Sequence, residues 1–168
     1  MSGAKPGYYK LEIERVYLVD IQGTIEMGPK AEVYGSITIT QGGKDYQYFS
    51  ASKSKPVEVE EPFVALNEGK QTAPIPRNGN WKEERIRYTG GKDEPKWVLT
   101  AELYEKDDTD KDDLICKGSE TLRPGGNRVT ADSWACKGEG KLVVEWRIKY
   151  YSDALIGITT DLGKISLD

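Results

Sequence analysis

Six carboxylates fall within nine residues of one segment: Glu105, Asp107, Asp108, Asp110, Asp112 and Asp113. Crowded in a folded loop, such groups repel one another unless water screens them or a cation is shared. A hard divalent ion is the natural counter-charge. Calcium accepts about six to eight oxygen ligands in adaptable geometry, whereas magnesium demands a stricter octahedron and keeps its water, so a flexible acidic loop suits calcium. The same mixture of Asp, Lys and Thr also makes a well-solvated hairpin turn that needs no ion. An EF-hand fails on spacing. Asp108, Asp110 and Asp112 satisfy its first, third and fifth positions, but Asp113 stands where that loop needs Gly and Ser119 where it needs a bidentate Glu.

Little else in the chain points to chemistry. Histidine is absent, which removes the commonest general base and the commonest transition-metal ligand together. No Gly-rich phosphate loop precedes a helical pattern, and no nucleophile has an identifiable base. The expectation is a binding module and not an enzyme. Cys116 and Cys136, each in a Cys-Lys-Gly triplet, cannot by themselves build a tetrahedral zinc site. They suit either one disulfide in an oxidising compartment or two small residues at strand ends. Lys53 and Lys55, paired with Arg147 and Lys149 on a sandwich face, would meet anionic head groups, although each is also an ordinary surface cation. Trp81, Trp97, Trp134 and Trp146 would stack a sugar ring if exposed. Trp97 and Trp146 read as core instead, because they share the apolar parity of their strands.

Those strands dominate the chain. Leu142, Val144, Trp146, Ile148 and Tyr150 alternate with Val143, Glu145, Arg147 and Lys149, placing an apolar row on one face and a mainly charged row on the other. The same period of two runs through Trp97, Leu99, Ala101 and Leu103 and through Val33, Gly35, Ile37 and Ile39. Shorter versions surround Tyr46 to Phe49, Val57 to Val59 and Ile86 to Tyr88. Breaks such as Gly42-Gly43, Arg77-Asn78-Gly79-Asn80, Gly90-Gly91 and Pro124-Gly125-Gly126 supply turn chemistry. Leu11 and Ile13 share one parity and Val16 and Leu18 the other, so a β-bulge near Glu14 and Arg15 would keep all four pointing inward. About eight antiparallel strands fit, and many short strands without a helical pattern imply an all-β sandwich or barrel.

The chain has 168 residues, enough for one domain with a self-sufficient core. Hydrophobic residues make up 37% and charged residues 31%, the balance of a globular chain. Asp and Glu outnumber Lys and Arg by 28 to 24, so overall charge argues against a nucleic-acid binder held by phosphate neutralisation. No run of about 18 apolar residues marks a transmembrane segment, and residues Met1 to Pro6 lack the apolar stretch of a secretory signal. Any membrane association is expected to be peripheral.

In the order of its motifs the chain resembles a C2 domain. Members of that family carry, after a strand, an Asp-x-Asp followed at a short interval by another Asp ahead of a bulky residue, Ile and Gly. Here Glu105-Lys106-Asp107 and Asp113-Leu114-Ile115-Cys116 occupy that frame, with Glu105 in place of the first Asp and Cys116 in place of the Gly. Asn80-Trp81-Lys82-Glu83-Glu84-Arg85-Ile86 resembles the family's Trp and Glu leading into an alternating strand. Trp134 followed by Gly140-Lys141-Leu142-Val143-Val144 resembles its closing Trp and final strand. Near the start, Leu11 to Asp20 and then Glu32-Val33-Tyr34 resemble the first strand, the first calcium loop and the second strand, with Glu32-Val33-Tyr34 standing where the family has Asp-Pro-Tyr. The resemblance covers residues 9 to 151 of a single domain, leaving the tail 152 to 168 without a counterpart. It implies an antiparallel sandwich of about eight strands and calcium held by Asp20, Glu32, Glu105, Asp107 and Asp113, with Asp108, Asp110 and Asp112 in reserve. It also implies an anionic phospholipid surface or a partner protein as the target. The rival expectations are a metal-independent interaction or assembly module and a carbohydrate-binding or toxin-associated targeting domain.

Overall fold

In the computed structural model the alternating segments are strands, and the structure describes residues 4–19, 30–60, 63–64, 71–106, 111–125 and 130–152. In chain order the strands are β1 (Gly7–Val19), β2 (Lys30–Gln41), β3 (Lys44–Ala51), β4 (Val57–Glu60), β5 (Phe63–Val64), β6 (Gln71–Pro74), β7 (Arg85–Tyr88), β8 (Trp97–Glu105), β9 (Asp113–Leu122), β10 (Thr130–Lys137) and β11 (Lys141–Tyr151). No helix occurs among the described residues. Two antiparallel sheets face each other as a sandwich. One runs β10-β11-β1-β6-β5 with β7 also on β1; the other runs β3-β2-β8-β9 with β4 also on β2.

The strand count departs from about eight because the described residues form eleven strands. The two long strands each need two partners along one edge. β1 pairs β11 along its length, while its other edge is shared between β7 at residues 7–10 and β6 at residues 17–19. β2 is arranged alike, with β8 on one edge and β3 and β4 sharing the other. Gly35 sits at that handover. Its φ is +117°, a region that L side chains rarely enter, and a Cβ there would lie 2.0 Å from the carbonyl oxygen of Glu102.

The parity slip in β1 is a bulge. Ile13 pairs Trp146 and Arg15 pairs Glu145, so Glu14 is the extra residue, and Leu11 and Leu18 on either side are both buried. Between the sheets lie Leu142, Val144, Trp146 and Ile148 of β11, the odd-numbered side chains of β8, and Val33, Ile37 and Ile39 of β2. Each fully buried aliphatic side chain of this kind contributes about 1.5–3 kcal/mol relative to exposure. All four tryptophans are at most 8% exposed, so none offers a free indole face to a sugar. Trp97 donates its Nε1–H to Gln41 Oε1 at 2.6 Å, and Trp81, outside any strand, packs edge-on against Tyr46 at 5.9 Å between ring centroids.

Candidate functional site

The odd parity of β8 carries one polar residue into the core side. Glu105 closes the row Trp97, Leu99, Ala101 and Leu103, and is only 6% exposed. Across the two neighbouring strands its backbone partners are Val33 of β2 and Asp113 of β9. Residues paired across antiparallel strands project to the same face, so Glu105 and Asp113 are neighbours, and like charges in that relation repel. The register slips between Leu103 and Tyr104, which lets Asp113 share the inward parity of Glu105 although both ends of the loop are in register. Lys106 donates its backbone N–H to the carbonyl of Glu32 at 2.8 Å, so Glu32 stands beside the start of the same loop.

The opposite sheet adds a carboxylate that sequence reasoning missed. The turn Gly138-Glu139-Gly140 between β10 and β11 folds onto β9: Glu139 donates its N–H to Leu114 O at 2.9 Å and Gly140 to Ile115 O at 3.0 Å. Only glycine fits the approach, since a Cβ on Gly138 would lie 2.7 Å from Ile115 O. The Glu139 side chain then shares a hydrogen bond with Asp113, and that bond, followed by desolvation, raises its pKa above the ordinary carboxylate value. A Gly-Glu-Gly turn was visible in the sequence, but nothing there says that its tip crosses to the other sheet.

Asp112 is served differently. Its Oδ2 accepts from the Tyr34 phenol at 2.6 Å and lies 3.1 Å from Lys53 Nζ. Burial, and then the bond to Asp112, push the Tyr34 phenol up to about 12. The Tyr34 ring stacks on Tyr104 with centroids 5.2 Å apart. Of the expected calcium ligands, then, Glu32, Glu105 and Asp113 gather at one end of the sandwich, while Asp20 and Asp107, with Asp108 and Asp110, lie outside the described residues. Among the described residues no three acidic or thiol side chains stand close enough to hold a metal ion by themselves.

The four expected head-group cations do not form one patch. Lys53 is on the turn after β3 and is turned towards Asp112; Lys55 is exposed on the same turn, whose ends meet as an isolated bridge between Ser52 and Lys55. Arg147 and Lys149 are on β11 of the other sheet, where Arg147 Nε lies 3.0 Å from Glu14 Oε1 and Lys149 Nζ 3.3 Å from Glu12 Oε1. A cationic concavity lies elsewhere. Arg87, Lys92, Lys96 and Arg123 border a cleft of about 670 Å³, together with Asp93 and Glu94, at the Trp97 end of β8. No described helix is long and apolar enough to cross a membrane.

No family model matches the chain, and no curated protein matches it. Among solved structures, a chain from the crystal structure of the Cry23Aa1 and Cry37Aa1 binary protein complex is similar: 16% identical, covering 86% of this chain and 99% of that chain, with a TM-score of 0.44. A likeness at that level adds nothing to what the acidic end can do.

Proposed function

We propose that the chain is a non-catalytic, C2-like binding module whose acidic end takes up calcium and presents it to an anionic membrane surface or an acidic face of a partner protein. The observation that carries this is the hairpin tip between β10 and β11, which crosses to β9 through the backbone bonds of Glu139 and Gly140 and sets the Glu139 carboxyl beside that of Asp113. Two carboxylates set side by side repel unless water screens them, one keeps a proton or a cation is shared, and a shared cation is the state with a use in binding. The donor set is all carboxylate, which fits a hard cation in chemistry, and the buried Glu105 stands next to it on the β8 and β9 ladder. Asp113 and Glu139 would hold the ion together with Asp20 and Asp107, which the C2 resemblance adds; Glu105 neighbours Asp113 on the ladder, and Glu32, one residue before the inward-facing Val33, has the opposite parity on β2. A bound calcium ion supplies the positive charge that turns a repulsive acidic end into an attractive one for phosphate or carboxylate oxygens. The chain's own part is to desolvate Glu105, to fix the hairpin through Gly138, and to withhold Asp112, which Lys53 and Tyr34 already engage.

Calorimetric titration of the whole chain with calcium, together with thermal unfolding in calcium and in chelator, tests this. A saturable heat and a midpoint that rises with occupancy are expected, because a ligand of the native state stabilises it by mass action. No heat at millimolar calcium and no midpoint change would overturn it.

A second reading is favoured by a separate observation, the cleft bordered by Arg87, Lys92, Lys96 and Arg123. It makes the chain a metal-independent module that meets its anionic partner at the other end of β8.

A further inference from the structure

Cys116 and Cys136 belong to different sheets, Cys116 on β9 and Cys136 on β10. Both are free thiols, 0% and 3% exposed, and their side chains are hydrogen-bonded to each other. Packing around them is close: a Cβ on Gly118 would lie 3.4 Å from Cys136 Sγ and 3.8 Å from Trp134 Cζ2. The two strands are the outer members of their sheets, β9 pairing β8 and β10 pairing β11. No ladder joins β9 to β10 among the described residues; the backbone ties across that seam come from the hairpin tip at Glu139 and Gly140. The thiols therefore meet where the sandwich is closed by side chains rather than by strand pairing. Edge elements held in this way open locally at lower cost than the central strands do.

We propose that Cys116 and Cys136 form a reversible disulfide that fastens the two sheets along the β9 and β10 seam, with a low-molecular-weight disulfide such as oxidised glutathione as the oxidant. Two buried thiols that interact across the facing edge strands β9 and β10 are placed to close such a bond with little movement of the backbone. When the seam opens, the Cys136 thiolate attacks one sulfur of glutathione disulfide; that bond breaks, one glutathione thiolate leaves, and a mixed disulfide remains on Cys136. Cys116 then gives its proton to water, and its thiolate attacks Cys136 Sγ, expelling the second glutathione thiolate. Two protein thiols are oxidised by two electrons, and the oxidant leaves as two thiols carrying the two protons. Cys136, 3% exposed against 0% for Cys116, is the thiol that an oxidant reaches first as the seam opens. Cys116 is held well above an ordinary thiol, first by its bond to Cys136 and then by burial, whereas the bond from Cys116 draws Cys136 below.

The bridge is independent of any metal. Its cysteines nevertheless sit on the same seam as the acidic pair: Cys116 follows Asp113 by three residues and Cys136 precedes Glu139 by three. Oxidation would hold the Glu139 hairpin against β9.

The test equilibrates the whole chain in glutathione buffers of graded redox ratio, with urea below the unfolding transition to let the seam open. Free thiols are then counted in denaturant, and peptides mapped without reductant. The expected result is a fall from two thiols to none in monomeric chain, one cross-linked peptide pair containing Cys116 and Cys136, and a melting midpoint raised by roughly 6–12 °C that reductant reverses. The variant Cys116→Ser should instead collect glutathione on Cys136 with no rise in midpoint. Two thiols persisting at every ratio, products that are only mixed disulfides or cross-linked chains, or the same midpoint rise in Cys116→Ser would each overturn the proposal.

Discussion

The bond to Asp113 favours the protonated Glu139 carboxyl, and this gives its titration a definite sign. Its folded pKa is raised by the bond to Asp113, so the folded chain binds that proton more tightly than the unfolded chain does. Stability from this group therefore grows as pH falls through the raised value towards the unfolded value of about 4.3, and is lost as pH returns to neutral. Glu139→Gln supplies a permanent N–H donor to Asp113. In chelator at neutral pH the variant should melt no lower than the parent, and the parent should gain on it as pH falls. In calcium the order reverses, because an amide is a poor replacement for a charged oxygen, and affinity should drop by about tenfold to a hundredfold. Melting curves across pH, with and without calcium, read both effects. Asp112 behaves otherwise, since its partners are a phenol and an ammonium. Tyr34→Phe should cost about 1.5–3 kcal/mol in chemical denaturation, the worth of a hydrogen bond to a charged group, with no change in calcium heat.

Among the strands, β2 depends on one glycine and β11 on one indole. Gly35→Ala would set a methyl group 2.0 Å from the Glu102 carbonyl at a φ of +117°. The handover from β4 to β3 has to shift, and a loss of about 3 kcal/mol is expected from denaturant titration. Trp146→Ala should cost about 3–5 kcal/mol, because a large buried ring leaves a cavity that the sheet cannot close. A change near zero would mean that β11 does not face the core. The faces of these strands were legible in the sequence because side-chain direction alternates with a period of two, and the β1 bulge was legible as a slip in that parity. Which strands lie side by side was not. Alternation says which face is buried but says nothing of the neighbour, so the split edges of β1 and β2, and the short β5 and β6 that complete one sheet, came only with the structure. The site divided along the same line. Glu105 and Asp113 follow directly from the acidic run flanking one hairpin, whereas Glu139 depends on a contact between sheets from residues far along the chain.

On the scale of the whole molecule, β8 separates two charged ends. Glu105 ends that strand beside the acidic loop, and Lys96 and Val98 border the cationic cleft at its start. Nine residues at strand rise put the two ends about 26 Å apart, several times the roughly 8 Å Debye length of physiological salt, so neither field controls the other. The two readings of function can therefore be separated by where an anionic vesicle docks. If calcium at the acidic end does the binding, sedimentation with phosphatidylserine vesicles should require calcium and reverse in chelator. It should be lost in Asp113→Asn combined with Glu139→Gln, and survive Lys96→Ala combined with Arg123→Ala. If the cleft does it, binding should persist in chelator, weaken steeply as salt rises, and follow the opposite pattern of variants. Neutral vesicles should stay unbound in both cases, because an anionic surface supplies the attraction either way. Binding in chelator that neither pair of substitutions reduces would place the docking surface at neither end of β8 and would sink both readings together.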